Sequence, residues 1–170
     1  MPQPTPAYCV IGALAVAGWG QVRSTRDIDL LVLSEEPGRT QLIDGLMAHG
    51  FTRDTEWAER NPLAKDVVLR LSHRSYPGLP LDLLFATDSH ARSTLQRRRA
   101  LNVLGISLWV CGPEDLIVLK LKAGRPHDFE DALGILKNPE LRLDLSYLRN
   151  WARQLGLDEE LQYVLNAATS

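Results

Sequence analysis

Short apolar runs and amphipathic stripes follow one another from the start of the chain. Residues 7–11 (AYCVI) have the continuous apolar pattern of a buried strand, and the small-residue run after Gly12 (ALAVAGWG) predicts a short helix packed tightly on a sheet. Residues 27–33 (DIDLLVL) predict a second strand, polar at its start and apolar later. Residues 39–49 carry apolar side chains at helical spacing and end before Gly50, a residue typical of helix ends.

The middle of the chain predicts further strands. Residues 66–72 (DVVLRLS) and 80–86 (PLDLLFA) are typical of strands, and with the loop YPGLP between them they are expected to be antiparallel neighbours. Residues 88–100 indicate an arginine-rich helix, and residues 106–111 indicate a short strand. Strands and helices arranged in this way predict a sheet with helices packed on it.

The last third of the chain is predicted to be helical. Pro113 begins a helix that runs to about Ala123, because a proline at the first position loses no helix hydrogen bond. Gly124 caps this helix, and Pro126 opens the next one. Two more short helices are predicted over 144–155 and 158–167. The whole pattern predicts an α/β (α+β) fold, a mixed β-sheet flanked by helices with a short helical C-terminal part.

The composition indicates one cytoplasmic domain. The chain has 170 residues, 45% of them hydrophobic, and we expect an α/β core over 1–112 with a helical part over 113–170 packed on it. A formal net charge of −2 gives no overall basic field for nucleic acid. Cys9 and Cys111 lack a C-x-x-C spacing and are expected to be buried thiols in a reducing cytosol. Neither a membrane-spanning stretch nor a secretory signal is predicted.

Two acids at the start of the second predicted strand are the first candidates for chemistry. Because strand side chains alternate between faces, Asp27 and Asp29 project from one face and Ile28 from the other. Two carboxylates this close repel unless a cation or a proton lies between them, and hard divalent metals such as Mg²⁺ prefer carboxylate oxygens. The alternative is a pair of solvated or ion-paired acids, and an Asp-x-Asp pattern alone does not decide between the two.

A third acid, Asp82, lies inside an apolar predicted strand, where an unpaired charge is costly. If this strand neighbours the first acidic strand, Asp82 joins Asp27 and Asp29. Three acids on adjacent strands are what two-metal phosphoryl or nucleotidyl transfer requires, and Asp82 is then the best candidate to accept a proton from the attacking hydroxyl. If the acids instead form separate ion pairs, Asp82 is expected to lie away from the other two.

Gly12 and Ala13 form the predicted turn between the first strand and its helix. Glycine lets the backbone approach a ligand closely, and a helix N-terminus offers free N–H groups to a phosphate. Tight packing of the helix on the sheet explains the same two residues without a ligand, so this turn alone does not choose between the interpretations.

Taken together, the segment from Ile11 to Asp29 resembles the nucleotidyltransferase superfamily, whose pattern is Gly-Gly or Gly-Ser, a short helix and an Asp-x-Asp strand. It is most similar to the small bacterial branch with the abortive-infection type toxins and the minimal nucleotidyltransferases, where G-x-x-R-x-T-x-D-I-D recurs. The matching residues here are Gly20, Arg23, Thr25, Asp27 and Asp29. Residues 113–121, 123–125, Asp128 and Asp131 match a later helical pattern of that branch, so the resemblance covers roughly residues 8–136.

The resemblance implies a nucleotidyltransferase fold and a Mg²⁺- (or Mn²⁺-) dependent transfer of a nucleoside monophosphate from a nucleoside triphosphate to an acceptor hydroxyl. The metal-binding and catalytic residues that it implies are Asp27, Asp29 and Asp82. The implied nucleotide-binding residues are Gly12, Ala13, Arg26 and Lys120. The implied acceptor is RNA, such as tRNA, or a protein, in a toxin–antitoxin setting with a cognate antitoxin or toxin as partner.

Ala13 departs from the Gly-Gly or Gly-Ser motif, since a serine hydroxyl that would hold a phosphate oxygen is missing. Backbone N–H groups can still bind the phosphate, but the departure favours a second hypothesis, a catalytically silent nucleotide- or partner-binding module on the same fold. Lys120 either reaches the triphosphate as a point charge or is a surface lysine whose stem covers apolar area. Arg23 and Arg26 either meet phosphate or an RNA backbone, or are solvated.

The remaining basic residues have simpler explanations. The run Arg97-Arg98-Arg99 either binds RNA electrostatically or forms a solvated helix face, and the second interpretation is favoured because no aromatic residues interleave with it. Arg125 is expected to pair with Asp128 or Asp131 and so to fix the turn between two helices.

Overall fold

A mixed β-sheet lies at the centre of the protein. The computed structural model describes residues 6–21, 24–33, 35–103 and 105–169. Within these ranges the strands are β1 (Tyr8–Ile11), β2 (Ile28–Leu33), β3 (Phe51–Arg53), β4 (Val68–His73), β5 (Tyr76–Ala86), β6 (Arg99–Val103) and β7 (Ile106–Val110). Their order across the sheet is β3-β4-β5-β2-β1-β7-β6. β2 is parallel to β5 and β1 is parallel to β7, whereas the other neighbours are antiparallel. The predicted mixed sheet is therefore confirmed.

Helices pack on both faces of this sheet. In the described ranges they are α1 (Gly12–Gly18), α2 (Gly38–Ala48), α3 (Thr55–Arg60), α4 (Ser89–Gln96), α5 (Pro113–Ala123), α6 (Pro126–Leu136), α7 (Leu145–Leu155) and α8 (Asp158–Thr169). Gly124 ends α5 with a φ of 69°, in the left-handed region, and Pro126 is the first residue of α6, as the sequence predicted. Among the described helices, none has both the length and the apolar character needed to cross a bilayer.

The two faces of the sheet carry separate hydrophobic clusters, and β5 contributes to both. Leu83 and Phe85 lie in the cluster beneath α2. Leu84 and Ala86 lie in the cluster that also contains buried residues of α1 and of α5 to α8. Because side chains alternate along a strand, Asp82 shares the face of Leu84 and therefore points to the side on which α5 packs.

The C-terminal helices share one hydrophobic cluster with the sheet. Leu148 of α7 and Leu161 of α8 lie in the same cluster as Val110 of β7. The division of the chain at residue 112 stays a prediction. Cys9 and Cys111 are both buried and free, as expected.

The prediction of a loop at YPGLP is wrong. Residues 76–80 belong to β5, and the turn of the β4–β5 hairpin is formed by residues 74–75. The pairing of the two strands shifts its register between Leu71 and His73. Pro77 lies in the exposed end of β5 opposite this irregularity, where its missing N–H removes no regular ladder bond.

The predicted helix over 88–100 is too long, because α4 ends at Gln96. Arg99–Val103 instead form β6, which pairs antiparallel with β7 through a turn that contains Gly105, with a φ of 83°. Leu101 and Val103 are the more buried residues of β6, an alternation with period two that a helical pattern does not explain. The segments β3 and α3 were not predicted, since 3 and 6 residues are too few to show a periodicity.

Candidate functional site

Three neighbouring strands place two acids and an arginine side by side. Asp29 of β2 lies opposite Asp82 of β5, and Asp82 lies opposite Arg70 of β4. Side chains directly opposite each other on paired strands project from the same face, so these three form one row across the sheet. On the other side of β2, Ile11 of β1 lies opposite Asp29, at the point where the chain turns into α1.

Asp27 joins this row from the position just before β2. The Thr25 hydroxyl lies 2.9 Å from Asp27 Oδ1 and 2.9 Å from the Asp27 carbonyl oxygen, and it can donate to either. The backbone N–H of Asp27 donates to Thr25 Oγ1 over 3.3 Å. Thr25, a residue of the sequence motif, therefore orients the Asp27 carboxylate.

Asp27, Asp29 and Asp82 form what we call the carboxylate cluster, with one oxygen from each within 4.8 Å of the other two. This arrangement is not that of three separate ion pairs with Asp82 set apart. Burial, followed by the negative charges of Asp27 and Asp82, raises the pKa of Asp29 to about 6. A shared cation relieves such repulsion, and three carboxylates that meet in this way fit the preference of Mg²⁺ or Mn²⁺ for hard oxygen ligands.

Arg70 is the candidate functional residue that the sequence interpretation missed. Its Nε donates to Asp82 Oδ1 over 2.7 Å, its Nη2 donates to Asp82 Oδ2 over 2.6 Å, and Nη2 also lies 3.7 Å from Asp27 Oδ2. The signal was present, because Arg70 is a charge inside an apolar strand, as Asp82 is. The predicted antiparallel pairing of their two strands would have brought them together.

Gly12 is required by the close approach of Asp29. Its φ is 66°, a conformation that L side chains rarely adopt, and a Cβ at this position would overlap the Asp29 carboxylate. The helix α1 begins at Gly12 without a side-chain cap, and Ala13 is buried beside it. Ala13, where the sequence departs from the Gly-Gly or Gly-Ser motif, therefore follows directly after the glycine that allows the close approach of Asp29.

Lys120 reaches the site from α5, and it is not the surface lysine of the alternative interpretation, because it is only 5% exposed. Its ammonium lies 3.1 Å from Asp128 Oδ1 and 2.6 Å from Asp131 Oδ2. Arg125 Nε donates to Asp128 Oδ2 over 2.7 Å, which is the ion pair expected at this turn. Burial alone would raise the pKa of Asp128, but the bonds from Arg125 and Lys120 outweigh it and hold that pKa below its usual value.

Lys120 and Arg125 line a cavity of about 430 Å³ together with the carboxylate cluster, Arg70 and the Gly12–Ala13 turn. It also includes Trp57 and Asn61 from the segment around α3, and His127 from α6, none of which was singled out for a site. The Arg70 guanidinium lies 4.8 Å from the centroid of the Trp57 ring, within the range of a cation–π contact. Asn61 Nδ2 donates to the Trp57 carbonyl over 2.8 Å and so ties the end of α3.

The other candidate basic residues lie elsewhere. Arg26 is exposed and does not line this cavity, and Arg23 lies outside the described residues. The run Arg97-Arg98-Arg99 is divided between the end of α4 and the start of β6, and Arg97 Nε donates to Asp115 Oδ2 over 3.3 Å. The run is therefore not a solvated helix face.

Comparisons with known proteins give structural likeness at low sequence identity. No family model matches the sequence, and no curated protein matches it either. Similar solved structures include the lincomycin-bound lincosamide antibiotic adenylyltransferase LnuA, with 16% identity and a TM-score of 0.49 over 75% of this chain and 84% of that chain. An antigenic nucleotidyltransferase-like protein from Paracoccidioides brasiliensis has 18% identity and a TM-score of 0.47 over 94% and 84%.

A third similar structure is JHP933 from Helicobacter pylori, with 14% identity and a TM-score of 0.46 over 94% of this chain and 72% of that chain. The strand order and the helices of the chain itself show a mixed α/β fold, with a central sheet flanked by helices.

Proposed function

We propose that this protein is a Mg²⁺-dependent nucleotidyltransferase that moves a nucleoside monophosphate from a nucleoside triphosphate to an acceptor hydroxyl. The observation that carries the proposal is the carboxylate cluster, in which one oxygen of each acid lies within 4.8 Å of the other two, in a cavity that Gly12 also lines. Metal-assisted nucleotidyl transfer needs such a cluster together with space for a phosphate chain beside it.

The three carboxylates hold the divalent cation in this proposal. When bound, the cation neutralises charge on the phosphates and orients the reacting oxygens. Thr25 keeps Asp27 in place, and the close packing of Gly12 sets the position of Asp29. Asp82 is the candidate base, because its two oxygens keep lone pairs that the N–H groups of Arg70 do not use.

Phosphate binding is assigned to the Gly12–Ala13 turn, Lys120 and Arg26. The first N–H groups of α1 have no side-chain cap, and the two residues of the turn line the cavity. An ammonium group has three N–H bonds, so Lys120 can donate to a phosphate oxygen in addition to Asp128 and Asp131. Arg26 meets the nucleotide or the acceptor from outside the cavity.

A second candidate function is a catalytically silent nucleotide- or partner-binding module. Two observations favour it: Ala13 supplies no hydroxyl to a phosphate, and both oxygens of Asp82 already accept hydrogen bonds from Arg70. Hydrogen bonds from a cation lower the basicity of a carboxylate, which weakens Asp82 as a base. The two functions differ in whether a covalent nucleotide appears on an acceptor.

The test is incubation of the full chain with each nucleoside triphosphate labelled at the α-phosphate, Mg²⁺, and total cell RNA and protein. The expected result is label on one class of macromolecule, either RNA such as tRNA or a protein, which names the acceptor. If either class is labelled, the next partner to search for is a cognate antitoxin or toxin, since the sequence resemblance implies one.

The matched controls are Asp29→Asn inside the cluster and Asp44→Asn on the exposed side of α2. We expect the first variant to lose the label and the second to keep it. Absence of label with wild-type protein, combined with Mg²⁺-dependent nucleotide binding by calorimetry, would instead establish the silent module. Absence of both would remove the transferase and favour a silent module that binds a partner.

A further inference from the structure

Arg70 is held from three sides inside the cavity. Both oxygens of Asp82 accept its N–H groups, Asp27 Oδ2 lies 3.7 Å from Nη2, and the Trp57 ring lies 4.8 Å from the guanidinium carbon. Only 20% of the Arg70 side chain is exposed. The guanidinium is therefore a fixed positive charge on the Asp82 side of the carboxylate cluster.

The other two cations of the cavity are committed elsewhere. Lys120 is shared by Asp128 and Asp131, and Arg125 pairs with Asp128. Arg70 thus remains as the cation in direct contact with the carboxylate cluster among the described residues. Three carboxylates and one guanidinium leave a net charge of −2, which a single divalent cation would neutralise.

We propose that Arg70 takes the place of a second metal ion, so that the carboxylate cluster binds one divalent cation and Arg70 competes with metal for Asp82. This inference deepens the proposed function, because it concerns how the same site uses metal. A two-metal arrangement would place a second dication against the guanidinium on Asp82. Like charges at contact distance in a partly buried site repel strongly.

The direction in which metal affinity changes when Arg70 is replaced distinguishes competition from a purely structural role. If Arg70 only positions Asp82 as a metal ligand, a neutral replacement disorders the ligand and weakens metal binding. If Arg70 competes with the metal, the same replacement frees Asp82 and strengthens metal binding. The Arg70→Lys variant keeps the charge but loses the bidentate geometry, so its effect is expected to lie between the two.

The experiment is titration of the full chain with Mn²⁺ in the absence of nucleotide, followed by electron paramagnetic resonance and calorimetry. We expect one Mn²⁺ per wild-type chain, and affinities in the order Arg70→Gln, then Arg70→Lys, then wild type, with about tenfold between the first and the last. In Arg70→Gln we expect a second, weaker Mn²⁺ site to appear.

The matched control is Arg92→Gln, which removes an arginine from an exposed ion pair with Glu35, and it is expected to bind Mn²⁺ as wild type does. Should Arg70→Gln fail to fold, the Mn²⁺ affinity of Arg70→Lys relative to that of wild type still tests the inference. Two Mn²⁺ per wild-type chain, or unchanged or weaker binding in the Arg70 variants, would overturn the inference. So would failure of every variant to bind Mn²⁺.

The assay needs neither nucleotide nor acceptor, so its outcome is separable from that of the transferase test. The expected order of Mn²⁺ affinities without any label transfer would keep Arg70 as a competitor of metal and remove the enzyme. Label transfer with the reverse order of affinities would keep the enzyme and give Arg70 a positioning role.

Discussion

Two groups of acids lie near the two ends of the helix α5, one on the helix itself and one in the cavity that Lys120 lines, and their bonding partners differ. At its start, Asp115 is fully buried and accepts hydrogen bonds from the Tyr147 hydroxyl over 2.5 Å and from Arg97 Nε over 3.3 Å. Near its end, Lys120 reaches the cavity in which Asp29 faces two other carboxylates.

The comparison shows how a buried acid can be assigned a role from its partners. The acids at the start of α5, which we call the α5 cluster (Glu114 and Asp115), receive donors from within the protein, and they also lie in the first turn, where the helix dipole favours negative charge. The carboxylate cluster keeps an excess of negative charge and faces a cavity. An internally satisfied cluster stabilises the fold, whereas an excess of charge requires a ligand from outside.

The largest effect is expected for Asp115→Ala, which should lower the free energy of unfolding by about 3–5 kcal/mol. The substitution removes a buried charge and leaves the Tyr147 hydroxyl and the Arg97 guanidinium without their shared acceptor. Urea unfolding followed by circular dichroism measures the loss. Asp44→Ala, at an exposed position of α2, is the control and should stay within about 0.5 kcal/mol of wild type. A loss for Asp115→Ala as small as that of the control would contradict a structural α5 cluster.

Asp29→Asn is expected to lower activity without lowering stability. Transfer activity should fall at least about a hundredfold, equivalent to about 2.7 kcal/mol of transition-state stabilisation, because a metal ligand is lost. The metal-free variant should be no less stable than wild type, since burial and the charges of Asp27 and Asp82 already oppose ionisation of Asp29 and raise its pKa to about 6. Label transfer and urea unfolding on one preparation test both parts, and a large loss of stability would place Asp29 with the structural acids.

Much of the carboxylate cluster could be predicted from sequence because strand alternation is a strong rule. Asp27 and Asp29 are two positions apart in a strand, so their shared face follows from the pattern alone. The position of Asp82 needed one further assumption, that its strand neighbours β2, and the observed pairing of Asp29 with Asp82 satisfies it. Arg70 was missed although the predicted antiparallel pairing of its strand with the strand of Asp82 brings the two residues together.

The α5 cluster could not be predicted, since its partners come from distant parts of the chain. Asp115 bonds to Arg97 and Tyr147, which lie 18 and 32 positions away, and no local pattern links these residues. The mistaken helix over 88–100 made this harder, because it assigned Arg97 to a solvated face. Tertiary packing, rather than local propensity, decides which way the three arginines of that run point.

Asp128 provides a pH test of an intermediate case, because this buried acid is bonded to Lys120 and Arg125, two residues that line the cavity. Bonds from Arg125 and Lys120 outweigh burial and hold the pKa of Asp128 below its usual value, so its contribution to stability is present above about pH 4 and is lost as the pH falls through the lowered pKa. Asp128→Asn should cost about 2 kcal/mol at pH 7. Urea unfolding between pH 7 and 3 should show the difference from wild type narrowing below about pH 4; a constant difference would contradict this.

The smallest effect is expected for Tyr147→Phe, about 1 kcal/mol of unfolding free energy. Burial, followed by the hydrogen bond to Asp115, raises the pKa of the Tyr147 hydroxyl to about 12, but Asp115 keeps Arg97 Nε as a donor when that hydroxyl is removed. A double-mutant cycle with Asp115→Ala measures the coupling, which should account for most of the loss.

Transfer activity in Tyr147→Phe should equal that of wild type, because this residue lies at the opposite end of α5 from Lys120 and does not line the cavity. If the variant instead lost activity while its stability was unchanged, the α5 cluster would have to influence the site through the helix. The separation between an acid group that serves the fold and one that serves a ligand would then no longer hold.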